Sequence, residues 1–208
     1  MKTILRLLLI YFGTLLSPIV FGTAQIPDIL IYQGKEYNLN SNPLEPYFEL
    51  HPDKRPQEGF STALWRGYIA TFEITDNKLF LKDISILASK DSLGKYIHYR
   101  KSVKDQVFPG QEKILIDWFT GLLIVPNGRL KHYVHMGYAS TYSKYILIEL
   151  DKGFYIQERR FSAGEYNRFR HKQFLAFKKT DNYKKIFDEL SKDKNNTADF
   201  IDSFLEVY

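Results

Sequence analysis

Two histidines, His132 and His135, are the first side chains in this sequence whose type and spacing could do chemistry. On a helix, an H-x-x-H spacing places both rings on one face, where they can bind zinc. The neighbouring residues Leu130, Tyr133 and Val134 are instead typical of a strand, on which an odd separation points the rings to opposite faces. The motif also lacks the glutamate of the metalloproteases. We therefore predict no metal and no cofactor, and interpret both histidines as strand residues with local hydrogen bonds.

A second candidate is the carboxylate of Asp117, which is followed directly by Trp118. Burial beside aromatic rings raises the pKa of a carboxyl group and lets it act as a general acid. A hydrolase that uses Asp117 with His132 or His135 is therefore one of the alternative functions. It competes with a purely structural role for the carboxylate.

Structural ion pairs explain such carboxylates more often than catalysis does. We expect Asp117 to bond with Arg66, and Glu73 to meet Lys82 diagonally across a hairpin. The sequence has no nucleophile elbow, phosphate loop or spaced metal cluster to accompany them. We therefore predict no catalytic residue and place binding before catalysis.

The segment of residues 137–143, Gly-Tyr-Ala-Ser-Thr-Tyr-Ser, has the composition of a recognition loop. Tyrosine supplies rigid amphipathic contact surface, while serine and threonine supply adaptable hydrogen bonds. We predict ligand-binding roles for Tyr138, Ser140, Thr141 and Tyr142. The sequence leaves open the alternative that these tyrosines fold back onto the core.

A basic segment, residues 159–179, carries seven Lys and Arg residues and one acidic residue, interleaved with five aromatic rings. In a cytosolic protein this mixture would suggest single-stranded nucleic acid. In an exported protein we expect no nucleic acid and instead lipid headgroups, surface polysaccharide or an acidic protein, contacted by Arg168 and Arg170. The alternative is a solvated edge strand whose cations discourage pairing with other strands.

The beginning of the chain has the pattern of a secretory signal. Lys2 and Arg6 form a positive region, residues 7–20 are apolar, and small residues end at Ala24. An uncleaved membrane anchor is the alternative, but the apolar run is shorter than the roughly 20 residues of a spanning helix. The sequence therefore predicts a signal peptide over residues 1–24 and a periplasmic or extracellular protein.

The remaining composition fits an exported domain that is stabilised by its core alone. The 208 residues include 44% hydrophobic and 16% aromatic side chains and no cysteine, so disulfides, thiolate ligands and a lipidated cysteine are all excluded. The formal charge is +5, of which two charges lie in the leader, and this is too mild to imply a polyanion partner. We predict one mainly-β domain over residues 25–208.

Four hairpin patterns position these candidates. Each joins two runs rich in β-branched and aromatic residues through a short turn of Gly, Asn, Asp or Pro. No strand–helix–strand alternation is present, so we predict antiparallel hairpins that form a sandwich or an open barrel. The paired runs are residues 29–32 with 36–39, 68–74 with 79–86, 122–125 with 129–134, and 145–150 with 154–159.

The end of the chain changes from strand to helical periodicity. Tyr183, Ile186, Phe187 and Leu190 repeat at helical spacing, and a second such pattern runs from residue 198 to the end. We predict two short amphipathic C-terminal helices, split at residues 192–196, that pack on the sheet or close a barrel end.

The segments TALWRGYIATFEI, DWFTGLLI and YVHMGYASTY resemble a group of exported bacterial β-rich proteins of unknown function. The resemblance covers most of the chain after the leader and implies a β-rich exported protein, with no activity or functional residues to transfer. We therefore expect a non-enzymatic binding protein for an unknown protein or an anionic surface ligand, in contact with the membrane or envelope. An immunity-type protein that blocks a toxin is a special case of this function.

Overall fold

The computed structural model describes residues 23–92 and 95–207 of the chain. These residues contain nine strands and five α-helices. The predicted signal peptide lies outside the described residues, apart from Thr23 and Ala24. The strands are β1 (Asp28–Tyr32), β2 (Lys35–Leu39), β3 (Ile69–Thr75), β4 (Lys78–Ser92), β5 (Lys95–Ser102), β6 (Ile114–Leu115), β7 (Gly121–His132), β8 (Thr141–Asp151) and β9 (Phe154–Ser162). The helices are α1 (Glu45–Leu50), α2 (Lys104–Val107), α3 (Ala163–Phe177), α4 (Asp181–Leu190) and α5 (Ala198–Val207).

The strands form one mixed sheet in the order β2-β1-β3-β4-β9-β8-β7, with β5 and β6 both paired to β4. Neighbouring strands are antiparallel except β1 and β3, which run parallel. The sheet is not closed into a barrel, although the N–H of Asn40 after β2 donates to the carbonyl of Ile124 on β7 at 2.8 Å. The mainly-β prediction is confirmed, and the parallel pair makes the sheet mixed rather than purely antiparallel.

The hairpin of β3 and β4 supplies the centre of the core. Tyr68, Ala70 and Phe72 are fully buried in the main apolar cluster, as their spacing of two predicts. Asp76 and Asn77 form the turn with φ values of 51° and 55°, in the left-handed region that Asp and Asn tolerate. The hairpins β1–β2 and β8–β9 are confirmed in the same way.

The predicted hairpin at residues 122–134 is wrong, because β7 runs without a turn from Gly121 to His132. The register against β8 shifts between Asn127 and Leu130, so Gly128 and Arg129 form a bulge inside one strand, while Pro126 and Asn127 keep their partners on β8. Gly128 has φ +80°, and a Cβ atom there would collide with Oγ of Ser143 on the paired strand. A turn sequence and a glycine bulge require the same backbone conformation, and only the pairing with β8 distinguishes them.

The two predicted C-terminal helices are confirmed as α4 and α5, and the hydroxyl of Thr180 caps α4 by accepting the N–H of Tyr183 at 3.2 Å. The edge strand proposed for residues 159–179 is wrong beyond Ser162, where α3 begins. Oγ of Ser162 accepts the N–H of Glu165 at 3.4 Å, and the Glu165 carboxylate accepts the N–H of Ser162 at 2.8 Å. This reciprocal capping box satisfies two backbone donors and starts the helix.

The three C-terminal helices pack in two places, whereas α1 and α2 contribute Phe48 and Val107 to the main core. The first half of α3 lies on β8 and β9, where Tyr166 stacks on Tyr145 with ring centroids 4.0 Å apart. The second half contributes Phe174 and Phe177 to a separate small core with α4 and α5. The first half of α3 therefore covers part of one face of the sheet, and α4 and α5 pack with its second half in a cluster that contains no residue of the sheet.

Candidate functional site

A buried ion pair lies where β1 meets the segment before β3. The side chains of Asp28 and Arg66 are both fully buried, and Nη2 of Arg66 lies 3.2 Å from Oδ1 of Asp28. The same Oδ1 accepts the N–H of Ala70 at 2.8 Å. Arg66 lies in a turn directly before β3. The N–H of Gly67 closes this turn by donating to the carbonyl of Leu64 at 3.0 Å. The predicted bond between Arg66 and Asp117 is therefore wrong, because Asp28 is the carboxylate beside the guanidinium.

A second ion pair adjoins the first. The two Nη atoms of Arg55 donate to the two carboxylate oxygens of Glu45 at 3.0 and 2.9 Å, in bidentate geometry. The hydroxyl of Tyr68 donates to Glu45 at 2.6 Å. The ring of Tyr68 also lies 5.6 Å from the guanidinium carbon of Arg66, which links the two ion pairs. We call Asp28, Glu45, Arg55, Arg66 and Tyr68 the buried polar cluster.

Burial controls the protonation of this cluster. Desolvation raises the pKa of Asp28 to about 6, although the positive charge of Arg66 partly offsets it. Desolvation and the neighbouring Glu45 carboxylate raise the pKa of Tyr68. Because Asp28 and Arg66 have no exposed surface, a dissolved ligand cannot contact them. The cluster is therefore suited to fixing the surrounding segments rather than to binding a substrate.

The predicted recognition loop is held down by this cluster. The hydroxyl of Tyr138 bonds with Arg66 and donates to Oδ1 of Asn42 at 3.1 Å. Oγ of Ser140 accepts the N–H of Val134 at 3.0 Å and so closes the loop onto the segment that follows β7. Tyr138 and Ser140 are thus engaged within the molecule, and their ligand-binding roles stay predictions.

The two remaining loop residues belong to β8. Thr141 pairs with His132 on β7. The N–H of Tyr142 donates to the hydroxyl of Tyr145 at 2.9 Å, and their rings meet edge to face at 6.3 Å. Tyr142 packs beneath α3, as the alternative in which tyrosines return to the core requires.

Asp117 and the two histidines lie at opposite ends of β7. Asp117 is exposed and precedes the strand by four residues, whereas His132 is its last residue and His135 follows it. The twelve residues of β7 span about 35 Å from first to last, at a rise of roughly 3.3 Å per residue. The structure therefore does not bring the carboxylate and the imidazoles of the hydrolase hypothesis together.

The histidine end of β7 shows a local contact instead. Nδ1 of His135 lies 2.9 Å from the hydroxyl of Tyr133, and both side chains are exposed. In residues 23–92 and 95–207, no group of three or more His, Cys, Asp or Glu side chains is placed to hold a metal ion. Glu73 and Lys82 form the predicted ion pair at 3.0 Å across the β3–β4 hairpin, which confirms that structural assignment.

The two predicted ligand-binding arginines of the basic segment differ in environment. Arg168 is exposed on α3. Arg170 is half-buried, and its guanidinium carbon lies 5.9 Å from the centroid of Tyr166. Its Nε is buried without a hydrogen-bond partner among the described residues. Two residues of an α-helix rotate the side chain by about 200°, so these arginines do not form one cationic surface.

The surface that the sequence did not identify is an extended pair of strands. β3 pairs with β4 only as far as Ser85, and beyond it β4 pairs with β5 alone in the described residues. We define the β-arm as residues 86–92 of β4 together with residues 95–101 of β5. Every residue of β5 is exposed.

The exposed residues of the β-arm include large apolar and aromatic side chains. Tyr96, Ile97 and Tyr99 keep 76%, 45% and 42% of their surface open to solvent. Four basic residues and one acidic residue accompany them, namely Lys90, Lys95, Arg100, Lys101 and Asp91. Alternating apolar and polar residues normally reveal a strand with one buried face. Here neither face of β5 is buried, so that signal was missing.

Comparison of the chain with protein-family models, with curated proteins and with solved structures found no match. None of the helices among the described residues combines the length and apolarity needed to cross a membrane.

Proposed function

We propose that this protein is an exported, non-enzymatic binding protein that contacts a partner protein through the β-arm. The leader pattern supports export to the periplasm or the cell exterior, and the absence of cysteine excludes lipidation at the leader junction. The proposal depends most on one observation, the exposure of Tyr96, Ile97 and Tyr99 on a strand pair that no third strand of the described residues joins.

The β-arm gains little stability from its own two strands. Two-stranded hairpins are marginally stable in water, because they bury little apolar surface. Exposed aromatic side chains on such a pair match the composition of interface cores, where Tyr is enriched. The β-arm is thus better suited to a partner than the loop at residues 137–143, whose tyrosines are bonded inside the molecule.

The alternative functions make different demands. A hydrolase needs Asp117 close to His132 or His135, and the length of β7 between them argues against it. An immunity-type protein needs a surface complementary to a toxin, which the β-arm could also provide. We therefore retain the toxin as one class of partner and rank the hydrolase lower.

Site-specific photocrosslinking in intact cells of the source organism tests the proposal. The full-length chain carries p-benzoylphenylalanine at position 96 or, as the matched control, in place of Phe154, another exposed aromatic strand residue. We expect a discrete protein adduct from position 96 and none from position 154. The same adducts from both positions would overturn the proposal. Hydrolase turnover that Asp117→Asn abolishes and Tyr96→Ala preserves would also overturn it.

A further inference from the structure

The outer edge of β5 carries unpaired backbone groups, and their positions follow from the register. The N–H of Val103, directly after β5, donates to the carbonyl of Ile84 at 2.8 Å. In an antiparallel pair, alternate residues direct both backbone groups toward the neighbour. The odd-numbered residues of β5 therefore face β4, and Tyr96, His98 and Arg100 direct N–H and C=O outward. No other strand of the described residues pairs with that edge.

The side chains along β5 form a charge pattern on one face. Lys95, Ile97, Tyr99 and Lys101 share that face at a spacing of two, so two cations flank two large apolar groups. Lys90 on β4 pairs with Ile97 and lies 6.0 Å from the ring centroid of Tyr99, which adds a third cation. A strand added along the edge would place its own side chains beside this row.

A second copy of the chain is a poor occupant of the edge. Antiparallel pairing of two β5 strands about His98 would place Lys95 of each chain opposite Lys101 of the other. Like charges directly opposite each other destabilise a sheet. The same lysines would attract a strand that carries carboxylates at those two positions.

We propose that β5 accepts an extended acidic segment of a partner protein as an additional strand, with its carboxylates opposite Lys95 and Lys101 and apolar residues opposite Ile97 and Tyr99. Strand addition draws affinity from main-chain hydrogen bonds and specificity from alternate side chains. The flanking charges direct encounter and exclude cationic strands. This inference rests on the proposed binding function and specifies the chemistry of the partner.

The test uses three synthetic heptapeptides and the protein expressed without residues 1–24. The first peptide is Glu-Thr-Val-Thr-Val-Thr-Glu, which has the expected alternation. The second replaces both glutamates by lysine. The third keeps the first sequence but carries N-methyl groups on the alternate backbone nitrogens that face β5, so it cannot pair with a strand edge. Binding is followed by NMR titration and by amide hydrogen exchange at 50 mM and 500 mM salt.

We expect only the first peptide to bind, and to slow exchange at the amides of Tyr96, His98 and Arg100. The affinity should fall at least tenfold in the double variant Lys95→Glu, Lys101→Glu, and at 500 mM salt. The control variant Lys131→Glu, Lys172→Glu changes net charge equally at exposed sites on β7 and α3 and should bind as the unmodified protein does.

Three results would overturn the inference. Equal binding of the N-methylated peptide would show that charge alone acts. Slowed exchange at these amides on raising protein concentration without peptide would identify a second copy as the occupant. Binding of an anionic polysaccharide but not of the first peptide would identify a different ligand class. If position 96 gives a protein adduct in cells while the first peptide does not bind, the acidic-strand inference fails and the binding function stands.

Discussion

Nη2 of Arg66 lies 3.2 Å from Oδ1 of Asp28, and neither side chain is exposed to solvent. The pair connects β1 to the start of β3, which are the two parallel strands of the sheet. Arg66 also donates to the carbonyl of Ile26 at 3.1 Å and bonds with Tyr138. One guanidinium therefore holds three segments that are distant in sequence.

Removal of this guanidinium should destabilise the protein strongly. We expect Arg66→Ala to lower the free energy of unfolding by about 3–5 kcal/mol, the usual cost of breaking a buried pair. Lys82→Ala is the control, because its pair with Glu73 is largely solvated and such pairs contribute about 0–1 kcal/mol. Urea unfolding at pH 7 measures both changes. Equal losses in the two variants would contradict a central role for Arg66.

The raised pKa of Asp28 predicts a pH dependence of stability. Because the pKa rises from 3.8 in the unfolded chain to about 6 in the folded protein, the folded state binds the proton more tightly between these values. The stability that the protonated Asp28 carboxyl group contributes is fully present below about pH 4. It is lost as the pH rises to 6, which lowers the free energy of unfolding by about 3 kcal/mol in all. The free energy of unfolding is measured for the unmodified protein and for Asp28→Asn at pH 4, 5, 6 and 7. As the pH rises, the unmodified protein should lose stability relative to the variant. A constant difference would place the pKa of Asp28 near its ordinary value.

The capping box predicts a graded loss of helix stability. Ser162→Ala removes the acceptor for the N–H of Glu165 and should cost about 1 kcal/mol. Glu165→Gln keeps an acceptor for the N–H of Ser162 and should cost less. Thermal unfolding followed by circular dichroism compares the two variants. A larger loss in Glu165→Gln would indicate that charge, rather than the reciprocal bonds, stabilises the start of α3.

Arg168 and Arg170 should respond differently to reversal of charge. Arg168→Glu alters an exposed residue and should leave thermal stability nearly unchanged. Arg170→Glu removes the cation beside Tyr166 and buries a carboxylate near it, so a lower melting temperature is expected. If α3 also binds anionic surfaces, Arg168→Glu should weaken binding to anionic vesicles at 0.1 M salt. The absence of binding by the unmodified protein would leave α3 with a structural role only.

Local patterns predicted those parts of the fold that local interactions determine. The β3–β4 turn at Asp76 and Asn77 and the helices α4 and α5 follow from short-range backbone preferences and apolar spacing. The Ser162–Glu165 capping box is equally local, but the basic composition of residues 159–179 favoured an edge strand over a helix.

Long-range pairing determined the parts that the sequence did not predict. Gly128 and Arg129 form a bulge rather than a turn only because β8 continues past them. Arg66 pairs with Asp28 only because β1 lies beside β3. The β-arm lacked the required signal, since a strand exposed on both faces has no apolar period. For this reason the sequence did not predict the β-arm as a candidate binding surface.

The strand order also has a consequence for the time course of folding. In the described residues, β4 pairs with β9 through one residue pair, Lys78 with Phe154, which are 76 residues apart in sequence. The hairpins β3–β4, β4–β5 and β8–β9 close only short loops, so they can form early in folding. The pairing of β4 with β9 closes a long loop, which costs more entropy, and should therefore form late. A substitution at the pairing of Lys78 with Phe154 should therefore accelerate unfolding and leave the refolding rate nearly unchanged.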